Sequence, residues 1–579
     1  MVADKRWTVP DVDEDRRSRL AREVPCSRVV ATLLLQRGIG EPTDARRFLR
    51  PRLTDLSDPE TLPAMEAAVA RIERAMHDGE RILIFGDYDV DGISSTCLLL
   101  DFFRLVGHPV DFRLPNRLSE GYGLRKETVR EFAKDGVGLV ITVDNGSSSV
   151  EEVALASELG IDVVVTDHHQ LPAELPRAAA LVNPRAAREG EAGFQDYAGV
   201  GVTFKLVWAL CQRLTRARKL SPEFREFLLD SLALVALGTI SDVVPLRGEN
   251  RIFSRFGLRY LQKTERPGLR RLVDAALSGN AGDRQLDSSH VGFGLGPRLN
   301  AAGRLGRAEL AVQLLMTEDD GEAGELLEML ERANDRRRKI EAEMCRRARD
   351  LVASEIDLSR ERAIVLGDES WHAGVLGIVA ARLAEEFYRP TLLVALSGSR
   401  SRGSARSIPR VHITDALGRC RDLLASYGGH AFAAGVEIDA ARLPDLRRCL
   451  SDAIDVPVND MVPEVEADCR INLDEVTPAL LDELATLAPF GAGNPAPVLE
   501  ARDLEVVGQP RLLGRDGRHI SFFVRQNGCA LRAVAFGKGD LHREIGGAAR
   551  ISLLFQPTWN VWRERKEIEM LVKEIRTES

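Results

Sequence analysis

The segment RILIFGDYDVDGISS, residues 81–95, joins a short apolar run to a polar loop that contains three aspartates. The run Arg81–Phe85 is typical of a buried strand, and the stretch Ser94–Leu105 after the loop has the pattern of a helix. Two further apolar runs, at residues 138–143 and 162–166, are also rich in Val and Ile without polar alternation. Such runs are typical of strands buried on both faces, so the sequence predicts a parallel α/β sheet.

Acidic and imidazole side chains follow each of these runs directly. They are Asp87, Asp89 and Asp91 after the first run, Asp144 after the second, and Asp167, His168 and His169 after the third. Asp242 follows a predicted apolar helix, Leu228–Leu237. The carboxyl ends of parallel strands meet at one edge of a sheet, where ligands bind. One such aspartate alone would as readily be a helix N-cap, but the whole set indicates a site at this edge.

The composition of this set indicates divalent cations. Carboxylates crowded at one edge repel each other unless cations lie between them. Oxygen ligands with one or two imidazoles suit Mn²⁺ or Mg²⁺, whereas a zinc site would more often use sulfur or several histidines. Two such ions, about 3.5–4 Å apart, can activate a water and hold the leaving oxygen of a phosphodiester. The residues alone therefore indicate a divalent-cation site whose chemistry would suit phosphodiester hydrolysis.

The same residues carry a family resemblance. The segments GDYDVDGISS, VDNGSSS, VTDHHQ and GTISDVVPL resemble the four successive phosphoesterase motifs of the DHH family. The resemblance to the RecJ-type exonucleases of that family runs from about Trp7 to the C-terminus. It implies hydrolysis of single-stranded DNA from the 5′ end, with release of 5′-mononucleotides, in DNA repair and recombination.

The resemblance also implies a role for each motif residue. Asp144 matches the aspartate that bridges both ions, and Asp89 matches a ligand of the first ion. The residues that match ligands of the second ion are Asp91, His168 and Asp242, and His169 matches the residue that faces the scissile phosphate; Asp87 and Asp167 lie in the motifs as ligands or beside them. Pyrophosphatase relatives have a histidine where this chain has Phe85, so the first ion is expected to bind more weakly or to use Asp87.

A second set of residues is predicted to bind the substrate. The segments DESWHAGVLGIVAARL, GSARSI and GGHAFAAGV place glycines beside Ser404, Arg406 and His430, which makes a phosphate pocket plausible, although tight turns with surface charges would show the same pattern. These segments resemble the domain associated with the DHH domain. In RecJ-like proteins the matching positions of two other segments face the DNA channel, and here they are Arg298 and Asn300 in GLGPRLNAAGRLG and Arg117 and Tyr122 in PNRLSEGYG.

The C-terminal part of the chain has the pattern of a small β-barrel. Residues 519–524 and 530–536 flank Gln526-Asn527-Gly528, a strong hairpin signal. With Phe522, Phe523, Trp559 and Trp562 among basic residues, the segment fits an OB-fold, which binds single strands by base stacking and backbone charge. Strand alternation requires one of the two phenylalanines to face inward, so Trp559 and Trp562 are the better candidates for exposed aromatic residues.

The segments between these regions complete the predicted organisation. The charged stretch 318–356 has a sparse apolar stripe that favours a helix bridging two domains over a coiled coil, and PFGAGNPAP at 489–497 is typical of a linker. The predicted fold is α/β, and its segments are an irregular N-terminal segment, 1–62; a parallel-sheet DHH phosphoesterase domain, 63–317; the linking helix, 318–356; a second α/β, DHH-associated domain, 357–457; a connector, 458–497; and the C-terminal OB-fold-like β-barrel, 498–579.

Composition limits the alternatives without settling the partner. The chain has 579 residues, too many for one core, and a net charge of −9, which at first argues against nucleic acid. The region from Val498 onward, however, has 14 Lys and Arg against 11 Asp and Glu. The eight cysteines, with no CxxC pair, make a disulfide framework or zinc ribbon unexpected, and Cys97 and Cys211 are predicted core residues. No apolar run is long enough for a membrane span, and the N-terminus lacks a signal-peptide pattern, so a cytoplasmic location is expected.

Three other functions compete with the exonuclease. A DHH phosphodiesterase acting on short RNA or cyclic dinucleotides would be much shorter and lack the barrel. An inactive scaffold, as in related eukaryotic replication factors, would have lost motif acids that are all present here. A pure single-strand-binding module would leave the acid cluster without a purpose. For the exonuclease, the family resemblance implies single-stranded DNA as substrate, with a single-strand-binding protein and a RecQ-type helicase as partners.

Overall fold

The computed structural model describes residues 5–117, 119–187, 193–216, 219–278, 285–562 and 565–578, with only the backbone described at 561, 562 and 565. The N-terminal region contains a short strand and three helices. They are β1 Arg6–Thr8, α1 Glu14–Glu23, α2 Arg28–Gln36 and α3 Pro42–Leu49. The prediction of an irregular segment here was wrong, because these helices are short and bury their apolar side chains against residues more than four hundred positions later.

The first α/β region is built on a five-stranded parallel sheet, as predicted. Its strands are β2 Ile82–Phe85, β3 Val110–Arg113, β4 Leu139–Val143, β5 Asp162–Thr166 and β6 Ala180–Val182, in the order β3-β2-β4-β5-β6. The helices of this part are α4 Met65–Asp78, α5 Val90–Leu105, α6 Lys126–Lys134, α7 Val150–Glu158, α8 Gly199–Thr215 and α9 Pro222–Ser241. Strands β2, β4 and the inner part of β5 are buried on both faces, which explains their unbroken apolar runs.

Further helices extend this region on the side of α9. They are α10 Gly248–Gln262, α11 Pro267–Leu277, α12 Gly296–Arg304 and α13 Glu309–Met316, with a π-helical turn, His290–Leu295, directly before α12. A large apolar core joins these helices to α5, α8 and one face of the sheet. Cys97 and Cys211 are fully buried in that core, as predicted.

The long helix is confirmed as α14, Asp320–Glu355, and it bridges two cores. Ala323, Leu326 and Leu330 in its first half belong to the core of the first α/β region. Met344, Ala348 and Val352 in its second half belong to the core of the next region. The apolar residues of this helix therefore pack against two different cores, which is why they lack sustained heptads.

The second α/β region has a mixed five-stranded sheet. Its elements are β7 Ile364–Asp368, α15 Leu376–Phe387, β8 Thr391–Ala395, β9 Ser401–Arg406, α16 Ile413–Arg419, β10 Ser426–Gly429, β11 Ala433–Ile438 and α17 Leu443–Ala453. The strand order is β10-β11-β9-β8-β7, and only β7 and β8 are parallel. Contrary to the expectation from cysteine spacing, Cys420 and Cys449 form a disulfide here, with Cα atoms 6.0 Å apart. Their separation along the chain gave no signal of this pairing.

The C-terminal region closes into a five-stranded barrel, as predicted. Its elements are β12 Glu464–Glu466, β13 Cys469–Arg470, α18 Pro478–Ala485, β14 Leu499–Leu513, β15 His519–Gln526, β16 Cys529–Ala535, α19 His542–Gly547, β17 Arg550–Trp562 and β18 Arg565–Glu578. Pairing of β14 with both β15 and β17 closes the barrel. The β15–β16 hairpin is confirmed, and its turn residues Asn527 and Gly528 both have positive φ, as a two-residue hairpin turn of type I′ requires.

The Pro/Gly-rich segment 489–497 is packed and does not behave as an exposed linker. Asn494 is fully buried, accepts a hydrogen bond from Arg37 Nε at 2.7 Å and donates two to the carbonyl oxygens of Leu487 and Pro489. The amide of Leu246, in the first α/β region, donates to the carbonyl of Ala492 at 2.7 Å. The glycines and prolines shape a tight loop at the meeting point of three regions. The barrel also shares its apolar core with α1, α2 and α3.

Within the described residues, no helix combines the length and the apolar character needed to cross a membrane.

Candidate active site

The carboxyl edge of the first sheet collects the predicted acids. The loop between β2 and α5 carries Asp87 and Asp89, and Asp91 lies in the first turn of α5. One oxygen of Asp89 accepts hydrogen bonds from the amides of Asp91 and Gly92, at 3.0 and 3.1 Å, so Asp89 is both an N-cap and a member of the cluster. The N-cap and the metal-site interpretations of such an aspartate are therefore compatible at this residue.

The N-terminus of α8 holds Asp91 in place. Its amides at Gly199 and Val200 donate to the two carboxylate oxygens of Asp91, at 2.6 and 2.9 Å. A side chain at position 199 is excluded, because its Cβ would lie 2.7 Å from Oδ1 of Asp144. Gly199 therefore allows the helix to approach two of the acids at once. Sequence reasoning missed this residue, since an apolar stretch around a glycine gives no chemical signal.

The DHH turn after β5 fixes the histidines. Asp167 Oδ2 accepts from the amide of Ser147 at 2.9 Å, and Asp167 Oδ1 lies 2.8 Å from Nδ1 of His169. Asn183, which is fully buried, donates to the carbonyl of His169 at 3.0 Å, a support that sequence reasoning also missed. Nε2 of His168 lies 3.1 Å from Oδ1 of Asp144.

Three overlapping groups of side chains could each hold a metal ion. The groups are Asp87, Asp89 and Asp144; Asp144, His168 and His169; and Asp91, His168 and Asp242, with the ligand atoms of each group within 4.8 Å of one another. Asp144 and His168 are each shared by two groups. The structure thus brings together seven of the eight acids and histidines singled out from the sequence, and the eighth, Asp167, is hydrogen-bonded to His169.

The donor atoms of this edge fit a divalent cation. Oδ1 of Asp87, Oδ1 of Asp144 and Nε2 of His168 are buried without a hydrogen-bond partner among the described residues. Buried polar atoms without a partner are costly. An ion held by Asp87, Asp89 and Asp144 would satisfy two of these atoms, and an ion in either of the other groups would satisfy His168. Phe85, which replaces the histidine of pyrophosphatase relatives, is buried and packs against Phe132, so its position offers no ligand, whereas Asp87 belongs to a candidate group.

The electrostatics of the edge point the same way. Burial, and then the charge of Asp89, raises the pKa of Asp91 to about 7. Burial and the neighbouring aspartates likewise hold the pKa values of Asp144 and Asp242 well above their usual range. Burial, and then the neighbouring His169, lowers the pKa of His168 to about 3, so its imidazole is neutral near pH 7, the form that binds metals.

Asp167 and His169 behave as an ion pair. Burial by itself would raise the pKa of Asp167, but the hydrogen bond from His169 and the amide of Ser147 hold that pKa below its usual range. Burial would lower the pKa of His169, and Asp167 raises it instead. Nδ1 of His169 lies 2.8 Å from Asp167 and 3.2 Å from the Tyr122 hydroxyl, which leaves Nε2 for another partner.

Four guanidinium groups gather between the two α/β regions. Burial, and then the charges of Arg117, Arg337 and Arg406, lowers the pKa of Arg304 to about 10. Burial, and then Arg117, lowers the pKa of Arg406, whose Nη1 donates to Ser404 Oγ at 3.1 Å. Among the described residues, Arg117, Arg304 and Arg406 have no salt bridge. Three guanidinium groups without carboxylate partners are suited to bind phosphate.

Sequence reasoning missed two members of this guanidinium cluster. Arg304 lies in the quoted segment GLGPRLNAAGRLG, six positions after Arg298, and could have been found from it. Arg337 is hidden among the many charged residues of α14, where it pairs with Glu341 at 2.9 Å.

The other predicted substrate residues have different surroundings. Tyr122 lies at the acid cluster, since its hydroxyl donates to the Asp144 carbonyl at 3.2 Å. His430 is exposed, and its amide donates to the carbonyl of Ala433, the cross-strand partner of Arg406. Arg298 is held by Glu331 of α14 at 2.7 Å and by the carbonyl of Gly294 at 2.8 Å. Asn300 is half-buried on α12.

The aromatic residues of the barrel differ from the prediction. Phe522 is buried, as strand alternation required, while Phe523 is 50% exposed. Trp559 is partly buried against the barrel core, and the Lys566 ammonium lies 4.0 Å from its ring centre. Phe523 is therefore a better exposed candidate than Trp559, and the side chain of Trp562 lies outside the described residues. The hairpin register, which could not be known beforehand, decides which phenylalanine points outward.

A parallel sheet with this acid and histidine edge, followed by a second α/β region, defines a DHH phosphoesterase. The chain matches the DHH family, N-terminal domain, over residues 81–239, the DHHA1 domain over 360–455, and the RecJ OB domain over 467–574. The chain belongs to the RecJ family, whose members are named single-stranded-DNA-specific exonucleases.

Two relatives and two solved structures illustrate the similarity. The chain is 37% identical to the Bacillus subtilis protein over 99% of this chain and 71% of that one, and 35% identical to the Dickeya dadantii protein over 97% and 98%. The crystal structure of Thermus thermophilus RecJ in complex with Mn²⁺ is similar with a TM-score of 0.84 and 32% identity, covering 100% of this chain and 80% of that one. The Mg²⁺ complex of the same protein gives 0.77 and 31%, covering 99% and 79%.

Proposed function

We propose that this chain is a metal-dependent exonuclease that removes 5′-mononucleotides from single-stranded DNA, starting at the 5′ end. The observation that carries the proposal is the set of three overlapping ligand groups that share Asp144 and His168. Adjoining cation sites with a common carboxylate are the arrangement that phosphodiester hydrolysis requires. The names and metal complexes of the RecJ relatives support the same activity and the use of Mn²⁺ or Mg²⁺.

In this proposal each acid has a defined task. Asp144 is common to both ions, Asp89 with Asp87 completes the first site, and Asp91, His168 and Asp242 complete the second. When bound, the two cations would supply a hydroxide near neutral pH and would balance the charge of the phosphodiester. The backbone amides of Gly199 and Val200 keep Asp91 oriented. Asp167 accepts from Nδ1 of His169 and favours its protonated form, in which Nε2 also carries a proton that can face the scissile phosphate.

The guanidinium cluster defines the end of the strand in this proposal. Ser404, Arg406 and His430 hold the terminal phosphate, and Arg117 with Arg304 binds the next phosphates along the strand. Arg298, Asn300 and Tyr122 line the approach to the acids. Forks of guanidinium N–H groups match phosphate oxygens, and three of these arginines have no competing salt bridge among the described residues. The 5′ polarity rests on the resemblance to the RecJ-type exonucleases.

Partners and location are proposed on the same basis. An enzyme that requires unpaired strands depends on a protein that opens the duplex and on one that holds the open strand. A RecQ-type helicase and a single-strand-binding protein fill these roles, and the cytoplasm is the proposed site of action. A phosphodiesterase for short RNA or cyclic dinucleotides is not favoured, because neither substrate would need the barrel.

End-labelled strands test the proposal directly. With Mn²⁺ or Mg²⁺, a 5′-labelled single strand is expected to release its label at once as a mononucleotide, while a 3′-labelled strand shortens through a ladder. Blunt duplex and samples with chelator are expected to stay intact. Early release of a 3′ label would contradict the polarity, and equal cutting of duplex would contradict the strand specificity. The variant Asp144→Asn serves as the control for contaminating nucleases.

A further inference from the structure

Val243 has an unusual backbone conformation beside the acid edge, the carboxyl edge of the first sheet. It follows Asp242 directly, and its φ is 64°, in the left-handed region. A β-branched residue in this region is strained, and such strain is concentrated at functional sites. The side chain is also 69% exposed, so packing does not repay the strain. Two unfavourable features at one residue indicate a role outside the folding of the chain.

Phe293 is the second exposed apolar residue on this side of the molecule. It lies in the π-helical turn His290–Leu295, where Val291 and Leu295 are fully buried and hold the turn against the core. Phe293 points away from that core and is 84% exposed. Beside it, Gly292 has open space where a side chain would be, since an added Cβ would meet no atom within 4 Å. The surface next to the ring is therefore open to a flat partner.

The segments that carry the two residues pack against each other, and each also contacts the loop that leads into the barrel. An added Cβ on Gly296, three residues after Phe293, would lie 2.9 Å from Ser241 Oγ, two residues before Val243. On the other side, Ser288 Oγ donates to the carbonyl of Phe490, and Leu246 bonds to Ala492. Residues 490 and 492 belong to the packed loop that leads into the barrel. A strand that ran from the acids to the barrel along this loop would cross this surface.

We infer that Val243 and Phe293 form a stacking platform for a nucleobase of the single strand, between the scissile bond and the barrel. The inference rests on the proposed function and deepens it by naming a positioning surface. An aromatic face binds every base, which suits an enzyme that must accept any sequence. The methyl groups of Val243 pack against the same nucleotide from the side of Asp242. Held on the platform, the strand presents one phosphodiester at a time to the acids.

Strands with a single missing base test the platform. The measurement is kcat/KM for release of the first nucleotide with Mn²⁺, on strands that each lack one base, at successive positions from the 5′ end. In the native protein, the loss at the platform position is expected to lower kcat/KM about tenfold. Phe293→Ala is expected to lower kcat/KM on the intact strand by a similar factor and to become indifferent to the missing base at that position alone. Phe293→Trp is expected to restore both values.

The controls separate this inference from the proposed function. Leu159→Ala removes another exposed apolar side chain, 43% exposed at the amino end of β5, and is expected to keep the native profile. If the native protein releases no nucleotide from any strand, the proposed function fails. If it cuts normally but Phe293→Ala keeps the native profile, or loses activity equally at every position, the platform is overturned, and the patch serves a protein partner or the fold. Failure of Phe293→Trp to restore the profile would overturn it as well.

Discussion

Among the described residues, Asp144 is the one carboxylate that belongs to two of the three ligand groups, and its Oδ1 lies 3.1 Å from Nε2 of His168. Its φ of 61° is one that Asn tolerates better than Ala, so Asp144→Asn is the cleaner variant. We expect hydrolysis to fall at least about a thousandfold, since the substitution weakens both cation sites. Without metal, the variant is expected to melt about 2–4 °C higher near pH 7, because it removes a carboxyl whose ionisation is opposed by burial and by the neighbouring aspartates.

Two measurements check this prediction. Activity is followed on single strands, and the melting temperature is followed with chelator and with Mn²⁺; the rise in melting temperature on adding Mn²⁺ should be smaller in the variant. Asp111→Ala removes a carboxylate from the same sheet, where it pairs with Arg81, and should leave the Mn²⁺ effect unchanged. Native-like activity of Asp144→Asn in both Mn²⁺ and Mg²⁺ would contradict the shared-ligand assignment.

The raised pKa values at the acid edge predict an unusual pH dependence of stability. Asp91 titrates near pH 7 in the folded chain and near pH 4 when unfolded, so between these values the folded state binds more protons. The pKa values of Asp144 and Asp242 are raised as well. The lowered pKa of His168 has the opposite effect on stability, but three carboxyl groups act against this one imidazole. Metal-free protein should therefore lose stability at this edge as pH rises from about 4 to 7.

Comparison of two proteins isolates that effect from the rest of the chain. The difference in melting temperature between native protein and Asp144→Asn, both in chelator, should widen as pH rises through this window. Saturating Mn²⁺ should abolish the widening, because metal binds the deprotonated carboxylates. A difference that stays constant with pH would show that the acids are already ionised in the metal-free protein.

Arg406 is expected to distinguish the chemistry of the strand end. Its guanidinium is held by Ser404 and lies near Arg117 and Arg304, with no carboxylate to compete for it among the described residues. Arg406→Ala should reduce hydrolysis of strands with a 5′-phosphate about tenfold more than that of strands with a 5′-hydroxyl. Arg402→Ala, on the same strand β9 but ion-paired with Glu437, is the matched control. An equal loss on both ends would make Arg406 a general backbone contact.

At the level of helices and strands, the packed loop 489–497 offers a test of stability. Asn494 fills its hydrogen-bonding capacity with Arg37 Nε and two carbonyl oxygens, all away from water. Asn494→Ala leaves these groups unpaired and should cost about 3 kcal/mol or more of unfolding free energy. Asn494→Asp keeps the acceptor for Arg37 but turns a carboxylate oxygen toward the carbonyls of Leu487 and Pro489, so it should be destabilising as well. Denaturant unfolding measures both, and an Ala variant as stable as the native protein would show that the loop is not a structural junction.

The elements differ in how well the sequence could predict them. Strands β2, β4 and β5 were predictable because each is an unbroken apolar run that ends at an acid or histidine, and the β15–β16 hairpin because Asn527-Gly528 fits only one kind of turn. Helices α1, α2 and α3 were not, since their partner surface is remote in sequence. The loop around Asn494 was misjudged because Pro and Gly occur equally in exposed linkers and in tight buried loops.

The site shows the same division. The acids could be found because their spacing and chemistry are local properties of four motifs. Three other residues could not be found in this way. Gly199 lets a helix approach the acids closely, Asn183 donates to a buried carbonyl, and Arg337 contacts arginines of other regions. None of these roles leaves a local pattern in the sequence. Phe523 is more exposed than Trp559 because of the strand register and because Trp559 packs beneath Lys566.

At the scale of the whole molecule, the barrel is not an appendage. Leu20, Leu34 and Phe48 of the N-terminal helices share one core with the barrel residues Phe522 and Phe555. Removing residues 498–579 should therefore expose these helices as well as weaken binding to long strands. In limited proteolysis, we expect the truncated chain to be cut within residues 14–49 under conditions that leave the full chain intact.

A second truncation serves as the comparison. A chain that lacks both residues 1–62 and 458–579 removes the shared core as a unit, and we expect it to aggregate less than the chain truncated at 498 alone. Continued protection of residues 14–49 after loss of the barrel would show that the three helices are stable without it.

The shared core also has a consequence for the order of events during synthesis. Gln36 in α2 bonds to the carbonyl of Asp468, which is added to the chain 432 residues later. At about 5–20 residues per second, the ribosome needs roughly 20–90 s to cover that interval. For all of that time Leu33 and Leu34 lack the barrel residues that complete their core. Helices α1 and α2 are therefore made long before the surface that completes their burial, so we expect them to stay partly exposed during synthesis.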